Sequence, residues 1–197
     1  MSEVSTHDGK AIVIEPAISW AAIFAGAVVA LAASVFLSLL AAGFGFDLAA
    51  GGLSTRRSLA AFTPELGASA IAIQVISAGL GGYLAGRLRH PWLAAHSDEA
   101  HFRDTAHGLI TWAIATVAGV VLAASVLAPY AEQLASVTSP TSTTAADPAR
   151  AAHILVQSAF FTAVGMVLSA FTASVAARVG GLRMEDMHAK GRASRGD

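Results

Sequence analysis

Histidines and carboxylates crowd one short stretch of the chain: His90, His96, Asp98, Glu99, His101, Asp104 and His107 fall within 18 residues. These are the side chains that bind divalent metals through imidazole nitrogen and carboxylate oxygen. Each helical residue turns by about 100°, so His101, Asp104 and His107 would span an arc of about 120°, which one ion could bridge. The stretch contains no His-x-x-x-His pair, the spacing that puts two imidazoles on one helical face. Juxtamembrane helices also carry histidine on their polar faces. No metal and no cofactor is therefore expected, and His101, Asp104 and His107 are the weak candidates for a metal site.

Other chemistry finds less material. The chain has no cysteine, which removes thiolate ligands, cysteine nucleophiles and disulfides together. No glycine-flanked nucleophile elbow and no metalloprotease helix motif is present. Gly79-Leu80-Gly81-Gly82 is not a phosphate loop, because no Gly-Lys-Ser/Thr follows it. No catalytic residue is assigned, and an enzyme is not expected. With net charge −1 there is no overall attraction to nucleic acid.

The elements that must position the histidine cluster are set by where charge is missing. Pro16 to Phe46, Leu66 to Gly86, Thr105 to Ala131 and Ala151 to Ala177 hold no Asp, Glu, Lys or Arg, over 31, 21, 27 and 27 residues. About 20 apolar residues suffice for a helix to cross the hydrocarbon core, so the fold expected is all-α, a polytopic membrane protein of four spans. A soluble helical bundle would show a charged face every turn or two, and none of the four does.

Punctuation along the chain gives the boundaries. Thr63, Pro64 and Glu65 read as a cap, a first-turn proline and an acid at the positive end of a helix dipole. Ser97, Asp98 and Glu99 repeat that device ahead of span 3, with Pro129 as its limit, and Asp147-Pro148 opens span 4. Gly180 and Gly181 are the expected stop of the last helix. Spans are placed at residues 17–40, 64–88, 105–128 and 150–179 of a membrane domain covering 16–181. A polar tail, 1–15, precedes it; a cytoplasmic loop, 89–104, divides it; a basic tail, 182–197, without fixed structure follows.

Nine Lys and Arg fall in the N-terminal tail, the middle loop and the C-terminal tail, against three in the other two connections. By the positive-inside rule both termini face the cytoplasm, and the destination is the bacterial inner membrane. Trp20, Trp112 and Tyr83 then fall near the cytosolic interface and Tyr130 near the opposite one, where aromatic side chains anchor a span.

Ile18-Ser-Trp-Ala21 returns as Ile110-Thr-Trp-Ala113, and Val28-Val29 as Val120-Val121, at an offset of 92 residues; Ala85-Gly86-Arg87 is echoed by Ala176-Ala177-Arg178. The pattern is that of two helical hairpins in tandem, with the same orientation in the membrane. Small residues four apart, which let helix backbones approach in lipid, recur in every span. They include Gly26 in span 1, Ala78, Gly82 and Gly86 in span 2, and Gly165, Ser169 and Ala173 in span 4. Packing inside the bundle is the favoured use of these stripes; a dimer face is the other.

No carboxylate lies within a span core, which argues against proton- or cation-coupled transport. Gln74, His107 and His153 are the polar groups to watch, Gln74 inside its span and both histidines near span ends, where a hydrogen bond to a neighbouring helix or interfacial water is the expected use of the histidines. The partners expected are the lipid bilayer and a second copy or another membrane protein. The contact motif is Arg103, Asp104 and His107 in the loop, with anionic headgroups meeting the basic tail. A noncatalytic structural or interaction protein is the leading reading; a small-solute channel or transporter built on the repeated hairpins is the alternative.

Ile18-Ser-Trp-Ala-Ala-Ile-Phe-Ala-Gly26, Gly81-Gly-Tyr-Leu-Ala-Gly-Arg87, and Arg103-Asp-Thr-Ala-His-Gly-Leu109 with Trp112 give the chain a resemblance to small bacterial four-helix membrane proteins labelled "PhnA-like". The likeness covers helix 1, the end of helix 2, the middle loop and the start of helix 3. That family usually has glycine where this chain has Thr105. The resemblance implies a four-helix membrane bundle and carries no activity with it.

Overall fold

A computed structural model describes residues 4–7, 10–13, 18–43, 64–89, 97–130 and 148–193. Four helices dominate: α1 (Trp20–Gly43), α2 (Pro64–Leu88), α3 (Ser97–Leu127) and α4 (Pro148–Ala193), with a 3₁₀ turn at Ala128–Tyr130 closing α3. Each contains a segment long and apolar enough to cross a bilayer: Trp20–Ala41, Leu66–Leu88, His101–Val126 and Val156–Met184. The chain thus has the build of a multi-pass membrane protein.

Three boundaries differ from the sequence expectation. The N-terminal tail is not wholly irregular, because β1 (Val4–His7) pairs antiparallel with β2 (Lys10–Val13), Val4 opposite Val13. The sequence between the two strands is Asp8-Gly9, the dipeptide that tight hairpins favour. Helix α1 begins at Trp20 rather than at residue 17, with Ser19 as its cap: the Ser19 carbonyl accepts from the Ile23 N–H at 3.1 Å. Helix α4 does not stop at Gly180-Gly181 but continues to Ala193. At 46 residues α4 is about 70 Å long, more than twice the roughly 30 Å thickness of a hydrocarbon core.

The helices pack through small side chains and turn large ones outward. Ala22, Ala27, Ala30, Ala78, Ala85, Ala173 and Ala177 are buried, whereas Phe24, Phe36, Leu39, Phe160 and Phe171 are more than half exposed. That is the reverse of a soluble core and suits a solvent as apolar as leucine. Helix α2 touches all three others, most extensively α4, and α1 and α4 make little contact with one another. A Cβ added to Gly26 would meet the Gly81 carbonyl and one added to Gly81 would meet the Gly26 carbonyl, so α1 and α2 touch backbone to backbone. Gly82 and Gly86 lie as tightly on the backbones of Ala173 and Ala177 in α4.

Hydroxyls inside the helices bond back to carbonyls three or four residues earlier, as Ser34, Ser69, Thr111, Thr116, Thr172 and Ser174 do. This disposes of a polar group where no water is at hand.

Candidate functional site

The buried polar groups gather where α2 ends, α3 begins and α1 starts. Arg89, one residue past α2, is 1% exposed and Asp104, two turns into α3, is also 1% exposed. Arg89 Nη2 donates to Asp104 Oδ2 at 2.8 Å, and Arg89 Nε meets Asp104 Oδ1 in a second, parallel contact. This fork-on-carboxylate arrangement is the strongest pairing the two side chains can make. Gly181 of α4 lies directly against it: a Cβ there would strike Asp104 Oδ2 and come within 2.9 Å of Arg89 Nη2. The glycines that fail to stop α4 are therefore what lets it pass over the ion pair, while Gly180 sits on the Tyr83 carbonyl.

One turn further along α3, His107 is 1% exposed and uses both ring nitrogens. Nε2 accepts the Ser19 backbone N–H at 2.9 Å, and Nδ1 lies 2.7 Å from the Arg103 carbonyl. A carbonyl only accepts, so Nδ1 carries the proton and the imidazole is neutral. The Ser19 N–H sits at the start of α1 where no helical carbonyl can reach it. Farther into the bundle, Trp112 Nε1 donates to Ser169 Oγ at 2.9 Å, and that hydroxyl in turn donates to the Met166 carbonyl at 3.1 Å. These bonds tie α2 to α3, α1 to α3 and α3 to α4.

This geometry changes the role of several expected residues. Asp104 and His107 are not surface contacts, because both are buried and held from inside the bundle; only Arg103 of that motif reaches outward, half-buried and paired with Glu99 at 2.7 Å. Nor do His101, Asp104 and His107 converge: His101 is half-buried, Asp104 faces Arg89 and His107 serves Ser19, and among the described residues no three His, Asp or Glu side chains could hold a metal ion. His90 and His96 lie outside the described residues, as do Arg195 and the rest of 194–197.

The remaining expected residues are scattered along the bundle. Trp20 is 52% exposed and lies against Phe24, ring centroids 6.1 Å apart, whereas Trp112 points inward to α4. Tyr83 is half-buried, and Tyr130 falls in the 3₁₀ turn. Gln74 is half-buried with its Oε1 close upon Gly165, and His153 is exposed.

Arg89, Ser19 and Gly181 were missed as site residues. The sequence carries a signal for the first: opposite charges flank a short connection between two spans, Arg89 just after one and Asp104 at the edge of the next. Ser77, 4% exposed in α2, is a different oddity, since its Oγ has no hydrogen-bond partner among the described residues. No family model, curated protein or solved structure matches the chain.

Proposed function

We propose that this is a noncatalytic protein of the bacterial cytoplasmic membrane, with both termini in the cytosol, that works by contact with a membrane-protein partner or anionic headgroups. The observation that carries this reading is the use made of the buried polar groups. Arg89, Asp104, His107, Trp112 and Ser169 are bonded to one another or to backbone across helix pairs, which fastens helices together. Contact falls instead to the end of α4 beyond Met184, where Asp186 and Met187 are exposed, to Arg183 just before it and to the outward-reaching Arg103 of α3. The basic residues there are each worth about 1 kcal/mol toward anionic lipid, enough to orient the end of the bundle but not to anchor it.

The finer architecture belongs to the same proposal: two hairpins, α1–α2 and α3–α4, repeated in tandem. Parallel helices in contact keep a constant numerical offset, and for α2 and α4 that offset is 91, as in Gln74 with Gly165, Gly82 with Ala173 and Gly86 with Ala177. The echo of Ala85-Gly86-Arg87 in Ala176-Ala177-Arg178 has the same offset. Equivalent positions facing each other is what a two-fold axis along the membrane normal produces. Kinship with the PhnA-like proteins stands within this proposal and adds no activity.

A photo-crosslinking residue at Met187 in living cells tests the contact. The account expects discrete protein or anionic-lipid adducts that fade when Arg183 and Asp186 are changed to alanine. Adducts no different from those of a lipid-facing control at Phe171, together with saturable solute flux in proteoliposomes, would replace this reading with the transporter.

A further inference from the structure

We propose that the seam between α2 and α4 holds one anionic phospholipid at the membrane surface, its phosphate on the guanidinium groups of Arg87 and Arg183 and its acyl chains along the apolar flank beneath them. This rests on the contact reading above and deepens it, by naming the ligand at that end of α4. The apolar segments of these two parallel helices stop together, at Leu88 and Met184. Arg87 stands in the last turn of α2 and Arg183 in the last turn of the α4 segment, so both cations lie at the depth where headgroups begin.

A side-chain contact brings the two cations together. Arg87 Nη2 reaches across to Met187 Sδ at 3.5 Å, and Arg183 is one turn before Met187 on the same face of α4, about 5–6 Å away between Cβ atoms. A thioether is a weak acceptor for a guanidinium, whose planar fork matches the oxygens of a phosphate. Neither Arg87 nor Arg183 pairs with a carboxylate among the described residues, although Asp186 is close in sequence, whereas Arg89 is engaged by Asp104. Beneath the cations the flank is apolar and open. Ile76, Leu80 and Arg87 share one face of α2, at spacings of four and seven, and both apolar residues are exposed. Val179, four before Arg183 on α4, is exposed too. Gly79 keeps the helices close here, since a Cβ on it would lie 3.2 Å from Thr172 Cγ2. A free phosphate would use the arginines alone, and an acidic peptide could not follow the flank into hydrocarbon without leaving its backbone unpaired. An anionic phospholipid matches both halves.

Native mass spectrometry tests the site on the full-length protein released from micelles doped equally with phosphatidylglycerol and phosphatidylcholine of the same chains. Retention of one phosphatidylglycerol should exceed that of phosphatidylcholine by about 25-fold, at about fivefold for each of two arginines. Arg87→Gln and Arg183→Gln should each reduce the preference about fivefold. Arg178 is exposed but sits about 160° around α4 from Gly180, the residue that faces α2, so Arg178→Gln should leave the preference within about twofold. Added inorganic phosphate should not displace the lipid. Equal retention of the two lipids by the wild type overturns the site with no variant required. So does a loss in Arg178→Gln as large as in the other two, which marks diffuse charge attraction, and so does displacement by inorganic phosphate, which assigns a free anion. Each of these strikes the lipid site alone, because crosslinks from Met187 to a protein partner would still satisfy the contact reading.

Discussion

A charge pair at the end of a membrane bundle has lopsided energetics. Neutralising one partner leaves the other charged and buried, whereas replacing both with apolar groups removes the desolvation cost along with the attraction. The same asymmetry separates two hydroxyls in this protein. Ser169 accepts the Trp112 indole N–H at 2.9 Å, so Trp112→Phe should lower unfolding free energy by about 0.5–1.5 kcal/mol, measured by steric trapping in bicelles. Ser77 is buried and its Oγ has no hydrogen-bond partner among the described residues, so Ser77→Ala should be neutral or stabilising by up to about 1 kcal/mol in the same assay; a loss of that size would mean the hydroxyl has a partner elsewhere. At this scale the sequence shows the opposite charges but not their pairing. Arg89 and Asp104 stand 15 residues apart across a connection, and what pairs them is the way α2 and α3 pack, which no local pattern encodes.

At the scale of elements, the spans were readable because exclusion of charge from hydrocarbon is a constraint on every residue of a span, whatever it packs against. Helix ends are decided by single contacts, and at two of them, the start of α1 and the end of α4, the structure differs from the expectation. Gly180-Gly181 has the composition of a stop, yet α4 continues because these positions must lie on the Tyr83 carbonyl and on the Arg89–Asp104 pair, which a side chain would displace. The start of α1 moved for a similar reason, with Ser19 held by His107 from another helix. Close packing gives a graded prediction. Gly82→Ala places a methyl against the Ala173 backbone and should cost about 1–3 kcal/mol. Gly43→Ala meets nothing within 4 Å and should stay within about 0.5 kcal/mol of wild type. Equal losses at both sites, by the same unfolding assay, would mean that α2 and α4 are not in this register.

At the scale of the molecule, the cross-helix polar contacts among the described residues gather toward one end of the bundle. The Arg89–Asp104 pair, the His107–Ser19 bond and the glycines of α4 meet within a few turns of each other, and α4 leaves from that end as a projecting helix. Composition foretold a membrane protein and the crowding of polar residues near residues 90–107, but the contact motif expected there, Arg103, Asp104 and His107, is buried at Asp104 and His107. Their burial turns a supposed contact motif into a fastening. That claim is tested most directly by the stability cycle of Arg89→Met, Asp104→Leu and the double variant in the full-length protein. The account predicts that each single change costs about 3–5 kcal/mol of unfolding free energy, while the double variant returns to within about 1–2 kcal/mol of wild type. Single losses that simply add in the double variant would contradict it.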